Sequence, residues 1–109
     1  MFSNARKFSA QPIVKKLFVI QYKFVEGILE KRAPYRSEHL KILQRRSESG
    51  DCLLGGAFME PADGSILLFN SRKCAEDFVK EDPYNKAGLV THWEIRDFAA
   101  VVGSLHTKL

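Results

Sequence analysis

Two segments that are apolar on both of their alternating faces constrain this chain more than any other feature. KLFVIQYKF, Lys16 to Phe24, is rich in Phe, Val, Ile and Tyr and is too short for a stable helix; ILLF lies inside a second run, Ser65 to Asn70. Successive side chains of a strand point to opposite sides of its sheet, so a strand that is apolar on both sides needs cover on both. Both segments therefore belong at the centre of a sheet, and the rest of the chain must flank and cover them.

The flanking segments have distinct signals. Val25 to Pro34 mixes patterns and runs into a proline, which pushes the residue before it out of the helical region, so it reads as a loop. Ser37 can cap a helix running to about Ser49, with His39, Leu40, Leu43 and Ser47 inward and Gly50 placed to end it. Cys52 to Phe58 reads as a glycine-interrupted strand, reversed by Glu60-Pro61-Ala62-Asp63-Gly64. Ser71 caps a second helix with Cys74, Ala75, Phe78 and Val79 inward; it ends near Asp82 because Pro83 cannot continue the backbone ladder. After Gly88, the last strand, Leu89 to Phe98, sets Thr91, Trp93 and Ile95 on a dry face against His92, Glu94 and Arg96 on a polar one.

Strand, helix, strand, strand, helix, strand is an α+β pattern, the ferredoxin-like split βαβ (βαββαβ) arrangement with a four-stranded antiparallel sheet. Its first and third strands are central, which suits the two doubly apolar segments. Two helices cover only one face of such a sheet. The other face then calls for a second copy of the chain packed sheet to sheet, a homodimer, or for shielding by the protein's own termini. The expected domain spans residues 16–98, between a basic leader, residues 1–15, and a tail, residues 99–109, that frays after its short apolar start.

With 109 residues, 45% of them hydrophobic, the chain has material for one buried core and one domain. No apolar run approaches the roughly 20 residues that span a bilayer, so no membrane association is expected. The net charge of +4 is concentrated in the first 25 residues, where Arg6, Lys7, Lys15, Lys16 and Lys23 meet no acid. Elsewhere bases and acids nearly balance, so no nucleic-acid partner is expected. The opening MFSNARKFSAQPIVKK has the composition of an organellar transit segment and equally of a disordered basic terminus; no secretory signal is expected from either reading. Cys52 and Cys74 form no CxxC and meet no paired histidines, which suits free thiols in a reducing compartment, the cytoplasm or the mitochondrial matrix, and no metal site. No glycine loop cradles a phosphate, and no cofactor is expected.

The candidate chemistry rests on His39 and Asp82. His39 stands in the first turn of the first helix, on the side of Leu40 and Leu43, at the edge of the core. Asp82 ends the second helix in Glu81-Asp82-Pro83-Tyr84. Both helices lie on one face of the sheet, so the start of one can meet the end of the other. A carboxylate bonded to one imidazole nitrogen fixes the tautomer and leaves the second nitrogen to move a proton near neutral pH. His92, among charged neighbours, and His106, in the tail and expected to be solvent-exposed, offer less.

The run Arg36-Ser37-Glu38-His39-Leu40, the pair Gly55-Gly56, Gly64 before a strand ending in Phe69, Ser71 with Ala75 and Phe78, then Asp82-Pro83-Tyr84, Ala87-Gly88-Leu89 and Trp93 to Phe98 resemble the YCII-related (YciI-like) family over residues 16–98. RSEHL followed by DPYNKAGL is the sharpest part of the resemblance. It implies a ferredoxin-like fold, association as a dimeric α/β barrel, and a pocket holding a His and an Asp, matched here by His39 and Asp82. The chain departs from the family pattern at Gly56-Ala57, where Gly-Pro is usual, and at Tyr35-Arg36-Ser37, where many members have Arg-Pro; both departures are expected at the pocket mouth. The resulting expectation is a cofactor-free, lyase- or isomerase-like enzyme acting on a small polar organic molecule. His39 moves the proton, Asp82 orients it, and Arg36 and Tyr84 anchor a substrate oxyanion or hydroxyl at the rim. The alternative is a non-catalytic dimeric module that binds a small ligand or a protein, with the pair as a buried brace.

Overall fold

The computed structural model describes residues 13–109. Four strands, β1 (Lys15–Phe24), β2 (Cys52–Ala57), β3 (Gly64–Phe69) and β4 (Val90–Ala100), form one antiparallel sheet in the order β2-β3-β1-β4. The two doubly apolar segments are its central strands, as the ferredoxin-like arrangement requires. Helices α2 (Arg36–Glu48) and α3 (Arg72–Glu81) are its main helices. Ile20, Leu67 and Phe69 from the central strands pack with Ile42 of α2 and with Ala75, Phe78 and Val79 of α3 in the core. Ser71 caps α3 through its hydroxyl, which accepts from the Cys74 N–H at 3.1 Å. The expectation for the basic leader falls outside the described residues except for residues 13–15.

Several local expectations need correction. Ser37 is not a cap: α2 starts at Arg36 behind Tyr35, with no side-chain cap. The buried residues of α2 are His39 and Ile42, with Leu43 and Arg46 half-buried, whereas Leu40 is 44% exposed and Ser47 is also exposed. Adjacent helical residues are rotated by about 100°, so a face that holds His39 continues at Ile42 and Leu43 and turns Leu40 away. Val25 to Pro34 contains a four-residue helix, α1 (Ile28–Lys31), whose Ile28 is buried with Tyr84 and Leu89 in a satellite cluster. A single turn is too short to produce a periodic pattern. On β4 the supposed dry face is wet: Thr91 and Trp93 are exposed and Ile95 is half-buried, because β4 is an edge strand.

The tail also differs from expectation. Ala99 and Ala100 extend β4, paired with Lys16 and Lys15, and a 3-10 turn follows at His106–Lys108. His106 is half-buried, its Nε2 lying 3.0 Å from the Ala100 carbonyl oxygen.

The hairpin between β2 and β3 relies on Gly64. A Cβ added there would overlap the Tyr22 carbonyl oxygen on β1 and touch the Phe58 ring at 3.5 Å. The neighbouring atom in the first case is backbone inside the central ladder and cannot give way cheaply. Gly64→Ala is expected to destabilise the domain by about 2–3 kcal/mol, in the upper range of overpacking substitutions. A urea midpoint unchanged from wild type would show that β1 and β3 can separate without cost.

Candidate active site

Asp82 is the joint of the site. It closes α3, its backbone N–H donating to the Phe78 carbonyl oxygen, and starts a further short helix, α4 (Pro83–Lys86), that the sequence pattern does not announce. Its Oδ1 caps α4 by accepting the Tyr84 N–H at 3.1 Å, and Pro83 at the first helical position has no N–H to leave orphaned. This placement buries Asp82 completely at the sheet's helical face.

His39 meets it there, with Nδ1 2.7 Å from Asp82 Oδ1. The spatial pairing expected from the topology is present, between residues forty-three positions apart. The second carboxylate oxygen, Oδ2, accepts the Tyr22 hydroxyl at 2.8 Å. Both oxygens of Asp82 thus accept from fixed donors, which fits the carboxylate form and makes Nδ1 the donating nitrogen of His39. In the neutral ring, Nε2 then holds the lone pair, and no hydrogen bond joins it to another described residue.

Aromatic neighbours hold the imidazole. The Tyr84 ring stacks on it, centroids 3.7 Å apart and planes 4° from parallel, and Phe78 meets it edge-on at 6.2 Å. The Tyr84 ring is buried, not placed at a rim; its hydroxyl accepts a long bond of 3.4 Å from Arg36, which is exposed. Of the four residues named from sequence, the structure therefore brings His39, Asp82 and Tyr84 together inside and leaves Arg36 at the surface beside them.

Two participants were not foreseen. Tyr22 is on the helix-facing side of β1, two residues from core Ile20, and a buried tyrosine hydroxyl needs a polar partner. Burial, and then the charge of Asp82, push its ionisation well above the usual phenol range, so it remains a donor. Asn85 on α4 donates its side-chain amide to the Val79 carbonyl oxygen at 3.1 Å, and beside the Tyr22 phenol it partly opposes that upward push.

Access is narrow. His39 is 8% exposed and Asp82 is sealed. Neither His39 nor Asp82 lines any of three surface hollows among the described residues, of about 800, 500 and 620 Å³. The largest of these three lies on the helix-free face of the sheet, among Val19, Gln21, Leu54, Ile66, Leu68 and Phe98. Gly56 and Ala57, expected at the mouth of the His39 pocket, line this hollow instead. No group of three or more His, Cys, Asp or Glu among the described residues is placed to hold a metal ion, and no described helix is long and apolar enough to cross a membrane. Cys52 and Cys74 are free thiols, Cys52 buried and Cys74 partly so.

The model of the YCII-related domain matches residues 16–99. The chain belongs to the YCII-related domain family. Among solved structures, this YCII-related domain is similar to 5-chloro-2-hydroxyhydroquinone dehydrochlorinase from Burkholderia phenoliruptrix AC1100, in complex with 2,5-dihydroxybenzoquinone. The TM-score is 0.63 and the identity 26%, covering 75% of this chain and 92% of that one. No match is found among curated proteins.

Proposed function

We propose that this YCII-related domain is a cofactor-free acid–base enzyme of the lyase or isomerase type, acting on a small polar organic molecule. The observation that carries the reading is the imidazole held by a sealed carboxylate at Nδ1, with Nε2 unbonded among the described residues. A histidine oriented in this way can take a proton from a substrate carbon or hydroxyl and return it to another atom. The exposed Arg36 guanidinium supplies an anchor for a substrate oxyanion. Tyr84 supports that anchor through its hydroxyl and the imidazole through its ring. The dehydrochlorinase of similar fold, whose structure holds a dihydroxybenzoquinone, makes hydroxylated rings the first substrates to try.

The test is release of chloride from 5-chloro-2-hydroxyhydroquinone, and isomerisation of related hydroxyquinones, by the wild type and by His39→Ala. Turnover that His39→Ala leaves at the wild-type rate rejects the assignment. A second reading, the non-catalytic module with His39 and Asp82 as a brace, is favoured by the near-burial of the pair and its separation from the three hollows. It predicts ligand binding without turnover, with His39→Ala changing stability alone.

The functional unit in this proposal is a homodimer packed sheet to sheet. Its support is the apolar helix-free face, where Leu54, Ile66 and Phe98 are 63%, 39% and 48% exposed around half-buried Val19 and Leu68. Val19 and Leu68 are direct partners across β1 and β3, in the middle of that face. A charge placed there and buried against a second copy would lack a partner, so Leu68→Lys is expected to convert the dimer to monomer in sedimentation velocity. A wild type that sediments as a monomer, or a Leu68→Lys variant that remains dimeric, removes this part of the proposal.

A further inference from the structure

We infer that Tyr22 is a positioning residue for His39: its hydroxyl, bonded to Asp82 Oδ2, sets how much of the carboxylate's charge is available to the imidazole at Oδ1. The inference rests on the acid–base reading of His39 and extends it to a residue of the central strand. Asp82 is fully buried, so protein donors take the place of water around its charge. Those donors are three: His39 Nδ1–H and the Tyr84 N–H at Oδ1, and the Tyr22 hydroxyl at Oδ2. Each one draws charge toward itself. With the phenol removed, Oδ2 is left without its donor, more of the negative charge is available to Oδ1, and the imidazolium is held more strongly.

The surroundings make Tyr22 suited to this task. It is 4% exposed on β1, and β1 is paired on both sides, so the hydroxyl cannot move away with a loop. Asn85, beside the phenol, is itself fixed to the Val79 carbonyl oxygen, so this neighbour stays in place as well. The groups that meet His39 from other elements are Asp82 from the α3–α4 joint, Tyr84 from α4 and the neutral ring of Phe78 from α3, while Tyr22 from β1 reaches it through Asp82. Arg36, on the imidazole's own helix, reaches this layer through the Tyr84 hydroxyl. Asp82 is therefore the negative charge that His39 meets directly, and Tyr22 is the side chain that shares it.

The experiment is an NMR titration of the His39 ring in the full chain, with its signal assigned by its loss in His39→Gln. Tyr22→Phe is expected to raise the titration midpoint by about half a pH unit or more, because the imidazolium gains attraction. Placing 3-fluorotyrosine at position 22, a stronger donor of nearly the same shape, is expected to lower it. A merely structural tyrosine would not move the midpoint in opposite directions with donor strength. Because fluorotyrosine preserves the packing, it decides the matter even where Tyr22→Phe fails to fold. A midpoint that fluorotyrosine leaves in place or raises overturns the inference, as does one that a folded Tyr22→Phe leaves in place or lowers. Asp82→Asn tests the pair itself: if it does not lower the midpoint, the His39–Asp82 coupling is absent, and that failure is distinct from a failure of Tyr22 alone.

Discussion

His39→Ala is expected to lower turnover by about 10²–10⁴-fold, the range a positioned proton carrier supplies. Asp82→Asn is expected to lose a comparable amount. Its oxygen can still accept from Nδ1, but the negative charge that supports the imidazolium is gone. The two effects should not add. Once His39 is absent, Asp82 has no imidazole to orient, so His39→Ala combined with Asp82→Asn should be no slower than His39→Ala alone. Residues acting independently would multiply their losses, so a double variant slower than His39→Ala by the full Asp82→Asn factor would break the dyad into two unrelated contributions. Folding is not expected to confound the comparison. Removing the imidazole takes away one stacked ring and one hydrogen bond, yet Asp82 keeps its Tyr22 and Tyr84 donors, which limits the cost to about 1–3 kcal/mol.

The parts of this arrangement that were legible in the sequence are those with a local chemical signature or a topological consequence. A run apolar on both faces must be central, and β1 and β3 are. Ser71 has a hydroxyl at the right offset to cap a helix, and Pro83 must break one. Given both helices on one sheet face, the start of α2 and the end of α3 can meet, and His39 and Asp82 do. Tyr22 escaped because inside a strand a tyrosine looks like any β-former; its polar end shows only when a partner sixty residues away is placed beside it. Tyr84 was visible as a polar group with a hydroxyl. Its ring is what the fold uses most, and stacking leaves no pattern in a sequence. The depth of the pair was equally hidden. Leu40 next to His39 suggested an apolar edge, but the helix turns Leu40 outward and draws Ile42 in, so the imidazole lies deeper than its neighbours implied.

The same burial makes Asp82→Ala the substitution expected to cost the fold most. Its carboxylate is where β1, α2 and α4 converge: Tyr22 donates from the first, His39 from the second, and the Tyr84 backbone from the third. Alanine would leave a phenol that is 4% exposed, a nearly buried ring N–H and the first free N–H of α4 without an acceptor, and would remove the cap that redirects the chain after α3. Removing one member of a buried, hydrogen-bonded pair costs about 3–5 kcal/mol, a large share of the roughly 5–15 kcal/mol that holds a domain together. Asp82→Asn should be milder, at about 1–2 kcal/mol. Its carbonyl oxygen can keep the cap and the His39 bond, and the Tyr22 hydroxyl can rotate to accept from the new amide where it formerly donated. Urea unfolding at equal m-value separates the two, with Asp82→Ala shifted well below Asp82→Asn. If both variants unfold with the wild type, the carboxylate is not the joint described here, and the contacts at its two oxygens contribute nothing to the stability of the fold.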